Sequence, residues 1–235
     1  MIRPLAFLPL AATAAALLAG PAGAATRSYT VTSFQRVRVD GPYVVAIRTG
    51  RGSFARATGD AAALDRVKVR VEGTTLVVSV DPGGWGGTPG RASGPVRIEA
   101  GTAEVTAATV NGAGSLEIDR VRGLEFGLNL QGNGLATIAA AEVDRLKIAV
   151  SGSGSVRVAG KVLALTAIVR GAGTLDASGL SATDAVIGAE GPAVVRAKVS
   201  GTAKVDAAGV AAVELAGSPS CQARTVGAAS VSGCR

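Results

Sequence analysis

This sequence predicts an all-β fold, a single-stranded parallel β-helix with coils of 18–20 residues, preceded by an N-terminal capping module of β-strands. The first observation is a glycine that returns seven times at intervals of 18, 19 or 20 residues, the signature of a stacked repeat. The second is valine alternating with polar residues in short runs, which is typical of strands. The third is an aromatic content of 3%, which suits a narrow core filled by aliphatic side chains.

The glycine repeat defines the coils. The residue two positions after each glycine is glycine or alanine, and the residues four positions before and after it are all aliphatic. Side chains alternate between the two faces of a strand, so the residues four and six positions after the glycine point inward together. Each coil then buries these residues against the next coil. Glycine itself permits the turn where a Cβ atom would clash. The predicted turn glycines are Gly112, Gly132, Gly152, Gly171, Gly191, Gly209 and Gly227.

The N-terminal segment 1–24 is predicted to be a secretory signal peptide. Arg3 supplies the positive charge, Leu5 to Leu18 form an uncharged apolar stretch, and the small residues 22–24 suit a signal peptidase. The apolar stretch is shorter than the roughly 20 residues of a membrane-spanning helix, and no later segment is long and apolar enough to serve as one. We therefore expect an exported chain that starts near Ala25, is periplasmic or extracellular, and does not span the membrane.

The capping module is expected over residues 25–100 and the repeat region over residues 101–235. The glycine spacing is absent from 27 to 100, where four strands are predicted at 34–39, 43–47, 67–71 and 76–80. The last two flank a short turn at 72–75, which predicts a hairpin. A loop rich in glycine and proline follows at 81–90 and contains the only tryptophan, Trp85.

The two cysteines, Cys221 and Cys234, lie near the C-terminus. Exported compartments retain disulfides, so we expect these residues to form a structural bridge that ties down the last coil. Structural zinc is rejected because two cysteines without a histidine cannot supply four protein ligands. We expect neither a metal nor another cofactor.

Several units of the chain resemble the head GIN domain family. The resemblance extends over nearly all of the chain that follows the signal segment. It rests on the repeat units 111–116, 151–156 and 170–175, on the later segment 217–221, on the pattern Phe34-x-x-Val37-x-Val39, and on the hairpin at 67–80. The family comprises exported bacterial proteins described as autotransporter adhesins with β-helical folds. The resemblance implies export and architecture, and it transfers no catalytic residue.

Charge is concentrated at the N-terminal end. The chain has a net charge of +7, and residues 27–70 hold nine basic against three acidic residues. Arg36 and Arg38 alternate with valines, as do Arg66, Lys68 and Arg70, which places the basic groups opposite the apolar ones. We interpret these five residues, with Trp85 as a further contact, as a binding surface for anionic cell-envelope polysaccharide or another envelope protein. A solvated face that only confers solubility is an equally good reading. Nucleic acid is a poor ligand candidate, because aromatic residues are few and no recognition helix is evident.

The column five residues after each turn glycine should face outward. It alternates in charge at its centre, which favours a ladder of surface ion pairs: Glu117, Thr137, Arg157, Asp176, Arg196, Glu214 and Ser232. The alternative is a polysaccharide lyase or hydrolase with acidic residues on this face, although the chain has no histidine for acid–base chemistry. We therefore expect a non-enzymatic, cell-envelope structural or adhesin-like binding protein.

Overall fold

The computed structural model describes residues 24–81 and 95–235. Trp85 and all but the last residue of the expected signal peptide lie outside the described residues. The N-terminal elements are β1 (Ala25–Tyr29), β2 (Arg36–Asp40), β3 (Val44–Thr49), β4 (Phe54–Gly59), α1 (Ala61–Leu64), β5 (Val67–Glu72), β6 (Thr75–Val80) and β7 (Arg97–Thr102). The following strands are β8 (Ala107–Gly112), β9 (Ser115–Gly132), β10 (Leu135–Gly152), β11 (Ser155–Arg170), β12 (Thr174–Glu190), β13 (Val194–Val199), β14 (Thr202–Gly209), β15 (Ala212–Ala216), β16 (Ser220–Gly227) and β17 (Ser230–Ser232).

The repeat region is a parallel β-solenoid, as predicted, and the whole structure has about six turns. β9, β10, β11 and β12 each run almost once around the solenoid, and every coil pairs in parallel with the coil before and after it. The turn glycines stack on one another, since Gly132 pairs with both Gly112 and Gly152. The sequence period is therefore the length of one coil.

Glycine is required at the corner for two separate reasons. All seven predicted turn glycines have a positive φ, for example 108° at Gly132. Residues with a Cβ atom rarely adopt such an angle. At Gly132 a Cβ atom would also lie 2.7 Å from the carbonyl oxygen of Gly112 in the preceding coil. The corner thus brings two backbones too close together for any side chain.

The core is a continuous aliphatic column. The residues four and six positions after the glycines are buried from Leu116 and Ile118 up to Val213 and Leu215. Alanine, valine, leucine and isoleucine form nearly all of this column, with Phe126 as a buried aromatic residue within it. In the last coil Val231 is half-buried and Ala223 is exposed, because no described strand covers them.

The N-terminal part of the solenoid is stacked out of sequence order. The layer formed by β2 and β3 pairs in parallel with β8 and β9 on one side. On its other side it pairs in parallel with β6 and β7. Gly41 has a φ of 120°, and its carbonyl oxygen would lie 2.6 Å from a Cβ atom on Gly114. The corner stack therefore continues to Gly41, which the sequence spacing missed because the intervening elements separate it from Gly112 along the chain.

Antiparallel strands close the N-terminal end of the solenoid. β5 pairs antiparallel with β6, β4 pairs antiparallel with β7, and β1 covers β4. The predicted hairpin at 67–80 is present, whereas β1, β4 and α1 were not predicted. Strands from both sides of the boundary expected near residue 100 belong to one sheet. Antiparallel pairing ends the parallel stack and protects its edge.

The C-terminal end is tied by the Cys221–Cys234 disulfide, whose Cα atoms lie 5.5 Å apart. The amide of Arg235 also donates to the carbonyl oxygen of Pro219, at 3.0 Å. β16 and β17 each pair with the preceding coil only. Within the described ranges no strand covers their outer edges, so the bridge closes the terminal coil while leaving its edge open.

Candidate binding face

The five predicted basic residues lie on the outer surface of the N-terminal end, on and beside the strands β2 and β5. Arg36 and Arg38 are on β2, Lys68 and Arg70 are on β5, and β6 lies between these strands. Arg66 immediately precedes β5, in the same alternation as Lys68 and Arg70. We call the surface formed by Arg36, Arg38, Arg66, Lys68 and Arg70 the basic face.

The strand register aligns the basic face across β6. Val77 of β6 pairs with Arg70 on one side and with Arg38 on the other. Val77 belongs to the outward set of β6 and is nevertheless fully buried, as expected where the aliphatic stems of long basic side chains cover an apolar neighbour. β2 and β5 are two strand spacings apart, or about 10 Å.

Two carboxylates partly neutralise the basic face. Arg38 Nε lies 2.9 Å from Asp40 Oδ2, and Arg70 Nε lies 2.6 Å from Glu72 Oε1. Asn111 Nδ2 also donates a hydrogen bond to Asp40 Oδ1 at 2.6 Å, which holds this carboxylate in place. None of the ion pairs found in the described chain involves Arg36, Arg66 or Lys68. Two of the five cations of the basic face are therefore paired, and three have no ion pair in the described chain.

The outward column of alternating charge forms the predicted ladder. Arg157, Asp176, Arg196 and Glu214 are neighbours in register on successive coils. Arg157 lies 3.3 Å from Asp176, and Arg196 lies 2.8 Å from Glu214. Hydrogen bonds from the Ser178 hydroxyl and amide lower the pKa of Asp176, and Arg157 adds to this effect. These contacts give the ladder a structural role.

The acidic groups with shifted pKa values are all held as carboxylates. Lys147 and Arg145 lower the pKa of Glu125, and Arg122 lowers that of Glu142. Hydrogen bonds from Thr202 lower the pKa of Asp184. A glycosidase instead needs one carboxyl whose pKa is raised so that it can donate a proton. Among residues 24–81 and 95–235 no group of three acidic or cysteine side chains could hold a metal ion.

A shallow groove adjoins the basic face and was not predicted from the sequence. It crosses the outer side of β8 to β11, has a volume of about 360 Å³ and is open to solvent. Its lining includes Ala107, Gly127, Ala149, Thr166 and Ile168. The signal in the sequence is a pair of columns, five and three residues before each turn glycine, that are small or apolar in these coils except at Lys147 and Asn129.

The helical content of the described residues is confined to the four-residue helix α1. Nothing helical in this part of the chain is long and apolar enough to cross a membrane. Trp85 lies outside the described residues, and the turn glycines and the disulfide occupy other parts of the solenoid. The structure thus groups the five basic residues and places the predicted turn glycines and the disulfide away from them.

Solved structures of bacterial proteins share this fold. A "putative adhesin" from Bacteroides fragilis superposes with a TM-score of 0.73 at 17% identity, covering 88% of this chain and 95% of that one. A "putative lipid binding protein" from Parabacteroides distasonis gives a TM-score of 0.71 at 18% identity, covering 90% of this chain and 97% of that one. At such low identity these similarities show the fold alone.

The family of this protein is identified by comparison of its sequence with known families. No functionally curated protein matches the chain. A family model described as "Putative auto-transporter adhesin, head GIN domain" matches residues 33–219. This match spans all of the solenoid except its first strand and its last coil, and it includes the residues of the basic face. The chain therefore belongs to the head GIN domain family.

Proposed function

We propose that this protein is exported to the cell envelope, in the periplasm or outside the cell, and acts there as an adhesin-like binding protein. Its ligand is an anionic glycan, and the basic face is the binding site. The observation that carries the proposal is the alignment of five cationic side chains on one outer surface, of which only Arg38 and Arg70 are ion-paired in the described chain. The signal-like N-terminus, the disulfide and the family description support export.

The geometry suits an extended polyanion. Arginine forks form paired hydrogen bonds to carboxylate, sulfate or phosphate groups, whereas lysine contributes a more compact charge. The strands hold these groups on a rigid surface, so the site loses little conformational freedom when a ligand spans them. Exposed charges are screened over about 8 Å at physiological salt, and binding should therefore weaken as salt rises. Calcium is not required by this arrangement.

The test is retention on immobilised heparin and on purified acidic lipopolysaccharide across a salt series. We would reverse Arg36, Arg66 and Lys68 together to glutamate, because these three have no ion pair to break in the described part of the chain. Arg38 and Arg70 are left intact, since reversing them would set like charges beside Asp40 and Glu72. We expect the parent to bind at low salt and the triple variant to lose retention.

The matched control reverses Lys161, Lys198 and Lys204, which are exposed and lie on β11, β13 and β14. Its net charge equals that of the triple variant, so equal losses would mean that overall charge governs retention and that the basic face is only a solvated surface. Absence of binding by the folded parent at low salt would also refute the proposal. An assay for released sugar ends accompanies the series, and we expect none.

A further inference from the structure

The groove is continuous with the basic face. Ala107 and Thr109 on β8 pair directly with Arg36 and Arg38 on β2. From β8 the groove extends across β9, β10 and β11 along the solenoid axis, over about 14 Å at the usual strand spacing. A ligand on the basic face therefore has an open path into the groove without crossing a ridge of charged coils.

The surface of the groove is predominantly apolar. Ala107, Ala149 and Ile168 project into it, while Leu128 and Ile148 line its floor. Lys147 is the charged residue of the lining, and its Nζ atom lies 2.8 Å from Glu125 Oε1 at the side. Arg36, without an ion pair in the described residues, lies beyond one end. The groove is thus cationic at that end, and its exposed surface is mostly apolar apart from Lys147 and the polar side chains of Thr109, Asn129 and Thr166.

Gly127, in the middle of the groove, has no conformational reason to be glycine. Its φ is not positive, and an added Cβ atom would meet nothing within 4 Å. Gly188, next to Ile168 in register, is similar, because its Cβ atom would meet only Ile168 Cγ1 at 3.9 Å. Glycine inside a strand weakens it, and such positions often mark a close approach by a ligand. The corner glycines, by contrast, are explained by the fold itself.

We infer that the anionic glycan bound by the basic face carries an acyl chain, which makes it an anionic amphiphile with its charged head on Arg36 and Arg38 and its acyl chain in the groove. The inference rests on the proposed function and specifies the class of ligand. Charge complementarity favours this ligand, because a surface with a cationic end and an apolar stretch beside it fits a molecule that has one anionic terminus and an alkyl tail. A purely hydrophilic glycan would use the basic face and leave the groove exposed.

The test measures the affinity of hexyl, octyl and decyl phosphate by calorimetry below their micelle concentrations, with inorganic phosphate as the headgroup alone. One fully buried methylene tightens binding about fourfold. An open groove buries a chain partly, so we expect decyl phosphate to bind at least about tenfold more tightly than hexyl phosphate. Equal affinities along the series would overturn the inference.

Two groove variants separate the chain from the head. Ala149→Glu places a carboxylate in the groove, and Gly127→Val fills it without a change of charge. Both should abolish most of the dependence on chain length while leaving retention on heparin intact. Ala212→Glu is the matched control, since Ala212 is also a half-buried residue of the solenoid but lies on β15, away from the groove. It should bind the series as the parent does.

The outcomes distinguish the two proposals. Heparin retention with no chain-length dependence refutes the groove and leaves the basic face standing. Chain-length dependence that survives reversal of Arg36, Arg66 and Lys68 keeps the groove as a site for alkyl chains and refutes the anionic head assigned here. If instead Ala149→Glu changes only the sedimentation of the protein, the groove is an interface between copies and the inference is wrong.

Discussion

Four glycine-to-alanine substitutions separate the two reasons for glycine at the corner. Gly127 has neither a positive φ nor a close neighbour, and Gly112 has a φ of 93° but nothing within 4 Å of an added Cβ atom. Gly134 has no positive φ, yet its Cβ atom would lie 2.6 Å from the Gly114 carbonyl oxygen. Gly132 combines a φ of 108° with a 2.7 Å approach to Gly112.

These geometries predict how each substitution changes the free energy of unfolding. Gly127→Ala should stabilise the protein by about 0.5–1 kcal/mol, because alanine restricts the unfolded chain and fits the strand. Gly112→Ala should lose about 1–2 kcal/mol from backbone strain after the same entropic gain is subtracted. Gly134→Ala should lose about 1–3 kcal/mol through overpacking. Gly132→Ala should lose about 2–5 kcal/mol, because both costs act on it.

The assay is urea unfolding followed by circular dichroism, with thermal midpoints as a second measure. A loss of 1 kcal/mol lowers the midpoint of a chain of this size by about 2–4 °C. Gly132→Ala should therefore melt well below Gly112→Ala, at unchanged urea dependence. Equal losses in these two variants would show that the neighbouring coil tolerates a Cβ atom. A loss in Gly127→Ala as large as that in Gly132→Ala would refute the geometric reasoning altogether.

Two further predictions concern the ends and the charge ladder. Cys221→Ser removes a bridge with a sequence separation of 13 residues, worth about 3 kcal/mol, so hydrogen exchange should accelerate first in β16 and β17; earlier opening of the central coils would contradict this. Asp176→Asn should change stability by less than about 1 kcal/mol at neutral pH, because exposed pairs are weak. The lowered pKa means that this carboxylate stabilises the fold above its unfolded value and loses the effect as pH falls through the folded value. The difference between parent and variant should thus vanish in acid, and a glycan-cleaving activity lost in the folded variant would show that the residue is catalytic.

The solenoid is predictable from the sequence, because the glycine repeat records contacts between neighbouring coils. Gly132 cannot be replaced without a clash against Gly112, and Leu116 and Ile118 are buried at fixed offsets from the corner. The alternation of Arg36 and Arg38 with valines likewise predicted which side chains point outward. These features depend on local geometry and on the next coil, and both leave a period in the sequence.

Which distant segments meet cannot be read from the repeat and depends on the order in which the strands stack. Gly41 joins the corner stack only because the β2–β3 layer inserts between the β6–β7 layer and β8–β9, an order that spacing along the chain cannot show. The same insertion brings β5 within two strands of β2, which unites Lys68 and Arg70 with Arg36 and Arg38. It also sets this cationic surface against the groove, because long-range pairing is selected by the fit of whole faces and no single period encodes that fit.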